Sequence, residues 1–286
     1  MTSLRLIAAA VTLLAAAPAA RAEIDNSILT PGSFREHKAT YGLVYILPKE
    51  VNAVIDAKIA GPLKAKLGEL GLKAEANAFN LPHVTVVHIH SADPTTPGKM
   101  LAALPKPPAP PAITLKTFYN TEAAKGAGHP WWFDLGIVKS GKGYDDLMAY
   151  NVVATAALTP LRDGPLPRVT GPVYNAMGDA AKELVRTVGV SGVNVVKDGK
   201  PTASHNPHNT LVYSMTPYTA PIQAAMDAFA GEMNKALPDG IETTFRNVSI
   251  VEIGFMGNVL REFYRIDLAT GEAVDVVSGR TVATIR

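Results

Sequence analysis

The chain has no cysteine in its 286 residues. That excludes disulfides, thiolate nucleophiles and cysteine-held metal sites. It has little net charge: 27 basic and 25 acidic residues leave a formal +2. No run of Lys and Arg marks a track for duplex nucleic acid. Long hydrophobic runs are missing too. No stretch reaches the roughly 18 consecutive apolar residues of a membrane-spanning helix. The chain also lacks the glycine-rich nucleotide loops, the Gly-x-Ser-x-Gly elbow and the His-Glu-x-x-His zinc motif. Dinucleotide, nucleoside-triphosphate, α/β-hydrolase and zincin chemistries therefore have no support.

What is present begins with a targeting segment. Arg5 gives a positive start, Leu6 to Ala17 an apolar stretch, and Ala20-Arg21-Ala22 a small-residue cleavage site. Residues 1–22 are predicted to be a secretory signal peptide cut after Ala22, which places the mature protein in the periplasm or outside the cell, free of the membrane. The cut removes two arginines and no acids, so the mature chain carries 25 of each sign. A small anionic ligand suits that balance better than a duplex. With 47% apolar residues overall, residues 23–286 are long enough to be held by a core alone.

Strands and helices alternate along the mature chain. Tyr41 to Leu47 reads as a strand. Val51, Val54, Ile55, Ile59, Leu63, Leu67 and Leu70 recur at helical spacing, with a kink expected at Gly61-Pro62 and an end at Gly71. Pro105 to Pro111 is a stiff connector. Helices are predicted at Tyr144–Leu158, Val173–Val188 and Pro221–Leu237, a hairpin turn at Asp198-Gly199, and a terminal strand pair near Val274–Ile285.

The most informative feature is a repeated tetrapeptide. Pro82-His83-Val84-Thr85 and Pro207-His208-Asn209-Thr210 each open a run with strand character. Residues two apart in a strand share a face, so His83 lies with Thr85 and His208 with Thr210. If the two strands lie side by side, two imidazoles and two hydroxyls converge. Such a set can deliver one proton, remove another and hold an anion between them. The surroundings repeat as well: motif strand, helix, strand, strand. After the first motif these are Pro97–Leu104, Ile113–Tyr119 and Trp131–Val138. After the second they are Pro221–Leu237, Val248–Met256 and Leu260–Leu268.

This pair of motifs resembles the two-histidine phosphoesterase superfamily, which includes 2′,5′-RNA ligase-like proteins and cyclic phosphodiesterases. The family pattern is His, an apolar residue, Ser or Thr, an apolar residue, twice. His83-Val84-Thr85-Val86 fits it; His208-Asn209-Thr210-Leu211 departs at Asn209, read as a packing change on a side chain pointing away from the site. The resemblance implies an α+β fold of two pseudo-symmetric lobes. Each lobe would be an antiparallel sheet backed by helices, with a central cleft between them. It implies His83 and His208 as the catalytic acid and base, Thr85 and Thr210 as phosphate-binding groups, and no cofactor or metal. Its implied substrates are 2′,3′-cyclic phosphates or short oligonucleotides, handled by a monomer. The alternative is a catalytically inactive periplasmic protein on the same fold that binds a phosphorylated ligand.

Alternation places the remaining candidates. His88 and His90 turn to the face opposite His83 and Thr85, so no metal site forms with them. Tyr213 turns to the core, while Val212 and Ser214 share the His208 face. Of Trp131 and Trp132, one faces the core and the other is available to stack on a base. His205 is read as a loop residue.

Overall fold

The computed structural model describes residues 39–72, 82–122, 131–162, 196–197, 200–201, 205–214, 216–253 and 259–286. The predicted signal segment and the predicted helix at Val173–Val188 lie outside the described residues.

The first strand, β1 (Thr40–Ile46), is followed by α1 (Lys49–Ile55), a π-helical turn (Asp56–Ala60) and α2 (Gly61–Glu69). The sequence predicts a kink or split at Gly61-Pro62, and the helical run is split there: the π-helical turn ends at Ala60 and α2 starts at Gly61, with Pro62, which has no N–H to give the helix, in its first turn. Gly71 ends α2 at φ +74°, and Leu72 N–H reaches back to Leu67 O at 2.7 Å. The first motif is β2 (His83–His90), then come α3 (Thr96–Ala103), β3 (Ala112–Glu122), β4 (Trp131–Ile137) and α4 (Lys142–Leu158). A two-stranded antiparallel pair, β5 (Val196–Lys197) and β6 (Lys200–Pro201), precedes the second motif, β7 (His208–Ser214); the predicted turn at Asp198-Gly199 lies outside the described residues. The chain closes with α5 (Ala220–Ala236), β8 (Ile241–Thr244), β9 (Asn247–Ile253), β10 (Val259–Asp267), β11 (Glu272–Asp275) and β12 (Thr281–Thr284). Strand β8 was not anticipated; at four residues it is too short to stand out by alternation.

The fold is α+β. The main strands form two antiparallel sheets, ordered β12-β11-β10-β9-β1-β2 and β7-β4-β3-β8. Each motif strand lies at the edge of its own sheet. The repeat is more interlocked than the sequence order suggested. Strand β1, helices and β2 form one unit, and β4, helix and β7 form the other. Yet β3, which follows β2, joins the second motif's sheet, and β9, which follows β7, joins the first motif's sheet.

One apolar core serves both sheets and the helices. It holds Leu43, Tyr45, Val84 and Ile250 from the first sheet and Leu115, Phe118, Phe133 and Leu135 from the second. Helix α4 packs against β2 and β3 and so bridges the sheets, while α5 covers β3. Two asparagines, the buried Asn151 and the half-buried Asn234, satisfy backbone that the ladders leave over. Asn151 of α4 donates to Val86 O at 2.5 Å. Asn234 of α5 accepts from Phe118 N–H at 2.8 Å and donates to Phe118 O at 3.0 Å, beside the register shift where Thr117 stands at φ +76°. Leaving such buried groups unpaired costs about 1–3 kcal/mol. Among the described residues no helix is long and apolar enough to cross a membrane.

Candidate active site

The two motif strands lie side by side at the junction of the sheets. They share no ladder. Their link is a side chain: Asn209 Oδ1 accepts the backbone N–H of His83 at 3.0 Å. Asn209 is only 1% exposed. The sequence pattern suggested a packing change at this residue. It is a clasp between the motifs: its amide oxygen supplies an acceptor to a half-buried backbone N–H at the edge of the neighbouring strand.

Both motif strands bulge at the same place, directly after the threonine. In β2, Thr85 faces Val44 and Val87 faces Leu43, so Val86 has no partner of its own. In β7, Thr210 faces Asp134 and Val212 faces Phe133, so Leu211 is extra. A bulge resets alternation, and this overturns three expectations. His88 returns to the Thr85 face, where its Nε2 lies 3.3 Å from Thr85 Oγ1. Tyr213 returns to the His208 face, and its ring stacks on Trp132 at 5.6 Å with 6° between planes. Val212 and Ser214 turn inward and are fully buried.

Around the second motif, three strands build one cluster on the face away from the core. Asp134 sits on β4 opposite Thr210, fully buried. Thr210 Oγ1 donates to Asp134 Oδ1 at 2.8 Å, and Thr121 Oγ1 to Oδ2 at 3.5 Å. His208 Nε2 stands 3.7 Å from Asp134 Oδ1. Burial pushes the Asp134 carboxyl up to about 6, while the His208 charge and hydrogen bonds from Thr210, Thr121 and Trp132 oppose that rise. His208 Nδ1 lies 2.6 Å from Asn206 O. A carbonyl can only accept, so Nδ1 carries a proton, and Nε2 is the nitrogen left to exchange one. Asn206 is held in turn, its Nδ2 donating to the Tyr119 hydroxyl at 2.9 Å. Burial holds the Tyr119 phenol well above its usual range, with the Asp134 charge adding. Gly136 makes room for that ring, since a Cβ there would stand 3.1 Å from Tyr119 Cε1.

Around the first motif the same positions are filled differently. Val44 faces Thr85 where Asp134 faces Thr210, and Ile46 faces His83 where Gly136 faces His208. Gly42 faces His88; its missing side chain leaves space for the imidazole, whose Cδ2 would lie 3.2 Å from a Cβ. His83 and Thr85 are half-buried, as are His208 and Thr210.

The tryptophans divide. Trp131 is fully buried and donates from Nε1 to Thr216 O at 3.0 Å. Trp132 is half-buried on the His208 face. His205 is buried at 9% exposure, immediately ahead of the motif. Among the described residues no three His, Asp or Glu side chains are grouped so as to hold a metal ion. Sequence reasoning missed Asp134, Tyr119 and Asn206. A signal existed for Asp134: it is the lone acid in the apolar run Trp131–Ile137.

No protein-family model matches the chain, and no curated protein matches it. Among solved structures the chain is similar to Usb1 of Kluyveromyces marxianus, at 10% identity and a TM-score of 0.36, over 74% of this chain and 92% of that one. A likeness at that level carries nothing about chemistry.

Proposed function

We propose that this protein is an exported phosphodiesterase that hydrolyses 2′,3′-cyclic phosphates or short oligonucleotides with its two motif histidines. The observation that carries the reading is the adjacency of β2 and β7, each presenting a half-buried His and Thr on the face away from the core. One neutral imidazole takes a proton from water. The water oxygen attacks phosphorus, and the bond to a ribose oxygen breaks. The second imidazole, protonated, supplies that oxygen with its proton. The products are a phosphomonoester and a free hydroxyl, with the two histidines exchanged in protonation. Thr85 and Thr210 serve as donors to the non-bridging oxygens. The Thr210 hydroxyl is turned to Asp134 and is released to an anion when that carboxyl is protonated or the hydroxyl rotates. The exposed part of Trp132, stacked on Tyr213, offers an aromatic surface to a base.

The test is turnover of 2′,3′-cyclic nucleotides and short oligonucleotides by purified protein in the presence of EDTA. Hydrolysis with a bell-shaped pH profile is expected, because one histidine must be neutral while the other is charged. Loss of activity on chelation and its return with zinc or manganese would overturn the metal-independent mechanism. Tight binding without turnover would favour the inactive phosphate-binding alternative. Export is tested separately, by whether the mature protein recovered outside the cytoplasm begins at Glu23.

A further inference from the structure

We propose that His88 is a third histidine of the site, a positioning residue that holds the Thr85 hydroxyl ready for a phosphate oxygen. This role rests on the phosphodiester reading above, in which Thr85 is one of the anion-binding groups. Thr85 is half-buried on the site face. His88, only 7% exposed, lies beside it with Nε2 3.3 Å from Thr85 Oγ1. Regular alternation would turn residues three apart to opposite faces; the bulge at Val86 brings these two together. Two neighbours keep the arrangement in place. Asn151 Nδ2 donates to Val86 O at 2.5 Å, inside the bulge. Gly42 faces His88, and a Cβ there would stand 3.2 Å from His88 Cδ2 and 2.9 Å from Ile253 Cγ1. An apolar ring would fill this space without the cost of burying polar nitrogens. What the imidazole adds over such a ring is its hydrogen bond to Thr85.

The direction of that hydrogen bond decides what Thr85 can do. A hydroxyl has one proton to give and two lone pairs to receive with. If His88 Nε2 carries a proton, it donates to Thr85 Oγ1, and the hydroxyl proton stays available for a non-bridging phosphate oxygen. If Nε2 is bare, it takes the hydroxyl proton and turns it from the anion. In the proposed role Nε2 carries the proton and donates. The second motif is built the other way round: Thr210 gives its proton to Asp134 Oδ1 at 2.8 Å. Before substrate arrives, Thr85 is then a ready donor and Thr210 a withheld one. His88 acts through Thr85 and takes no part in proton transfer to the substrate.

Two measurements decide the matter. The first needs no turnover: nitrogen NMR of the histidine side chains should show a protonated His88 Nε2, and Thr85→Val should move that resonance. A bare Nε2, or a resonance that Thr85→Val leaves unmoved, overturns the role. The second is a double-mutant cycle on turnover of a 2′,3′-cyclic nucleotide. His88→Phe keeps a planar ring and removes the nitrogens. It should lower turnover about three- to tenfold, the worth of one hydrogen bond. His88→Gln, whose amide can still donate, should recover part of that loss. In a Thr85→Ala background His88→Phe should change turnover by less than about twofold, because the hydroxyl it acts on is gone. Parental turnover in His88→Phe, or the same loss with and without Thr85, would make His88 a packing residue; either overturns the role while the two-histidine reading stands. Should circular dichroism show His88→Phe unfolded, His88→Met carries the same cycle. A parent that binds inorganic phosphate without turnover would sink the hydrolytic reading alone, and the cycle run on phosphate affinity would then judge His88. A parent that neither turns over phosphodiesters nor binds phosphate would sink that reading and this role together.

Discussion

The two motif strands share a backbone and differ in what their neighbours supply. Both bulge after the threonine, both lie on a sheet edge, and both set an aromatic ring two residues past the bulge, His88 in β2 and Tyr213 in β7. Across from β7 stand Asp134 and Gly136, and across from β2 stand Val44 and Ile46. Among the described residues the backbone plan is thus shared, and what differs is the side chain facing each threonine, a carboxylate from Asp134 in one half and an isopropyl group from Val44 in the other.

The largest effect should come from removing either histidine. His83→Ala and His208→Ala are each expected to lower turnover about 10²-fold or more, the scale for a positioned acid or base. Steady-state rates on variants shown to fold by circular dichroism measure this. A folded variant with parental activity would take that half out of the comparison.

Next in size is the pH-dependent stability that Asp134 brings to the second motif. The folded Asp134 carboxyl is raised to about 6 from an ordinary 3.8. A raised group contributes stability that is complete below about pH 4 and is lost as pH climbs through about 6. At pH 7 the ionised, buried group therefore costs roughly 3 kcal/mol, taking about 1.36 kcal/mol for each tenfold change in proton affinity between the unfolded and folded chain. Asp134→Asn should raise the neutral-pH melting temperature above the parent's and flatten its pH dependence between about pH 4 and 6. A variant that melts below the parent at pH 7 would show that the charge stabilises the fold.

Asn209 tests what joins the halves. Asn209→Leu restores an apolar residue but removes the acceptor of the half-buried His83 N–H, so a loss of about 0.5–1.5 kcal/mol is expected by thermal or urea unfolding. Unchanged stability would mean that the clasp carries no weight. The smallest effects belong to the hydroxyls. Thr85→Ser and Thr210→Ser should each retain more turnover than the matching alanine variants, and Thr210→Ala alone should raise the Asp134 titration. Equal damage from Ser and Ala would point to methyl packing.

Much of the frame was legible in the sequence. Helical spacing located α2 and α5, the duplicated Pro-His-x-Thr located β2 and β7, and an antiparallel α+β fold followed. The facing of side chains failed wherever a bulge intervened. Alternation assumes one residue per step, and neither Val86 nor Leu211 differs in kind from its apolar neighbours. The Val86 bulge is stabilised from elsewhere, by Asn151 of α4 reaching its carbonyl. A distant amide of that sort leaves no mark within the strand it serves. Asp134 was overlooked for a related reason: its importance lies in Thr210 and His208, which meet it only across a ladder.

The exchange of β3 and β9 between the sheets has a consequence for how the chain is made. During synthesis β1 and β2 emerge long before β9, and β3 and β4 before β7. Each early pair must wait for partners encoded later in the chain, β1 for β9, as when Gly42 pairs with Val251, and β4 and β3 for β7 and β8. Contacts so distant in sequence slow folding, and waiting edges invite pairing with other chains. Cutting the gene between its two motifs should therefore yield no independently folded half. The two fragments would regain structure only together.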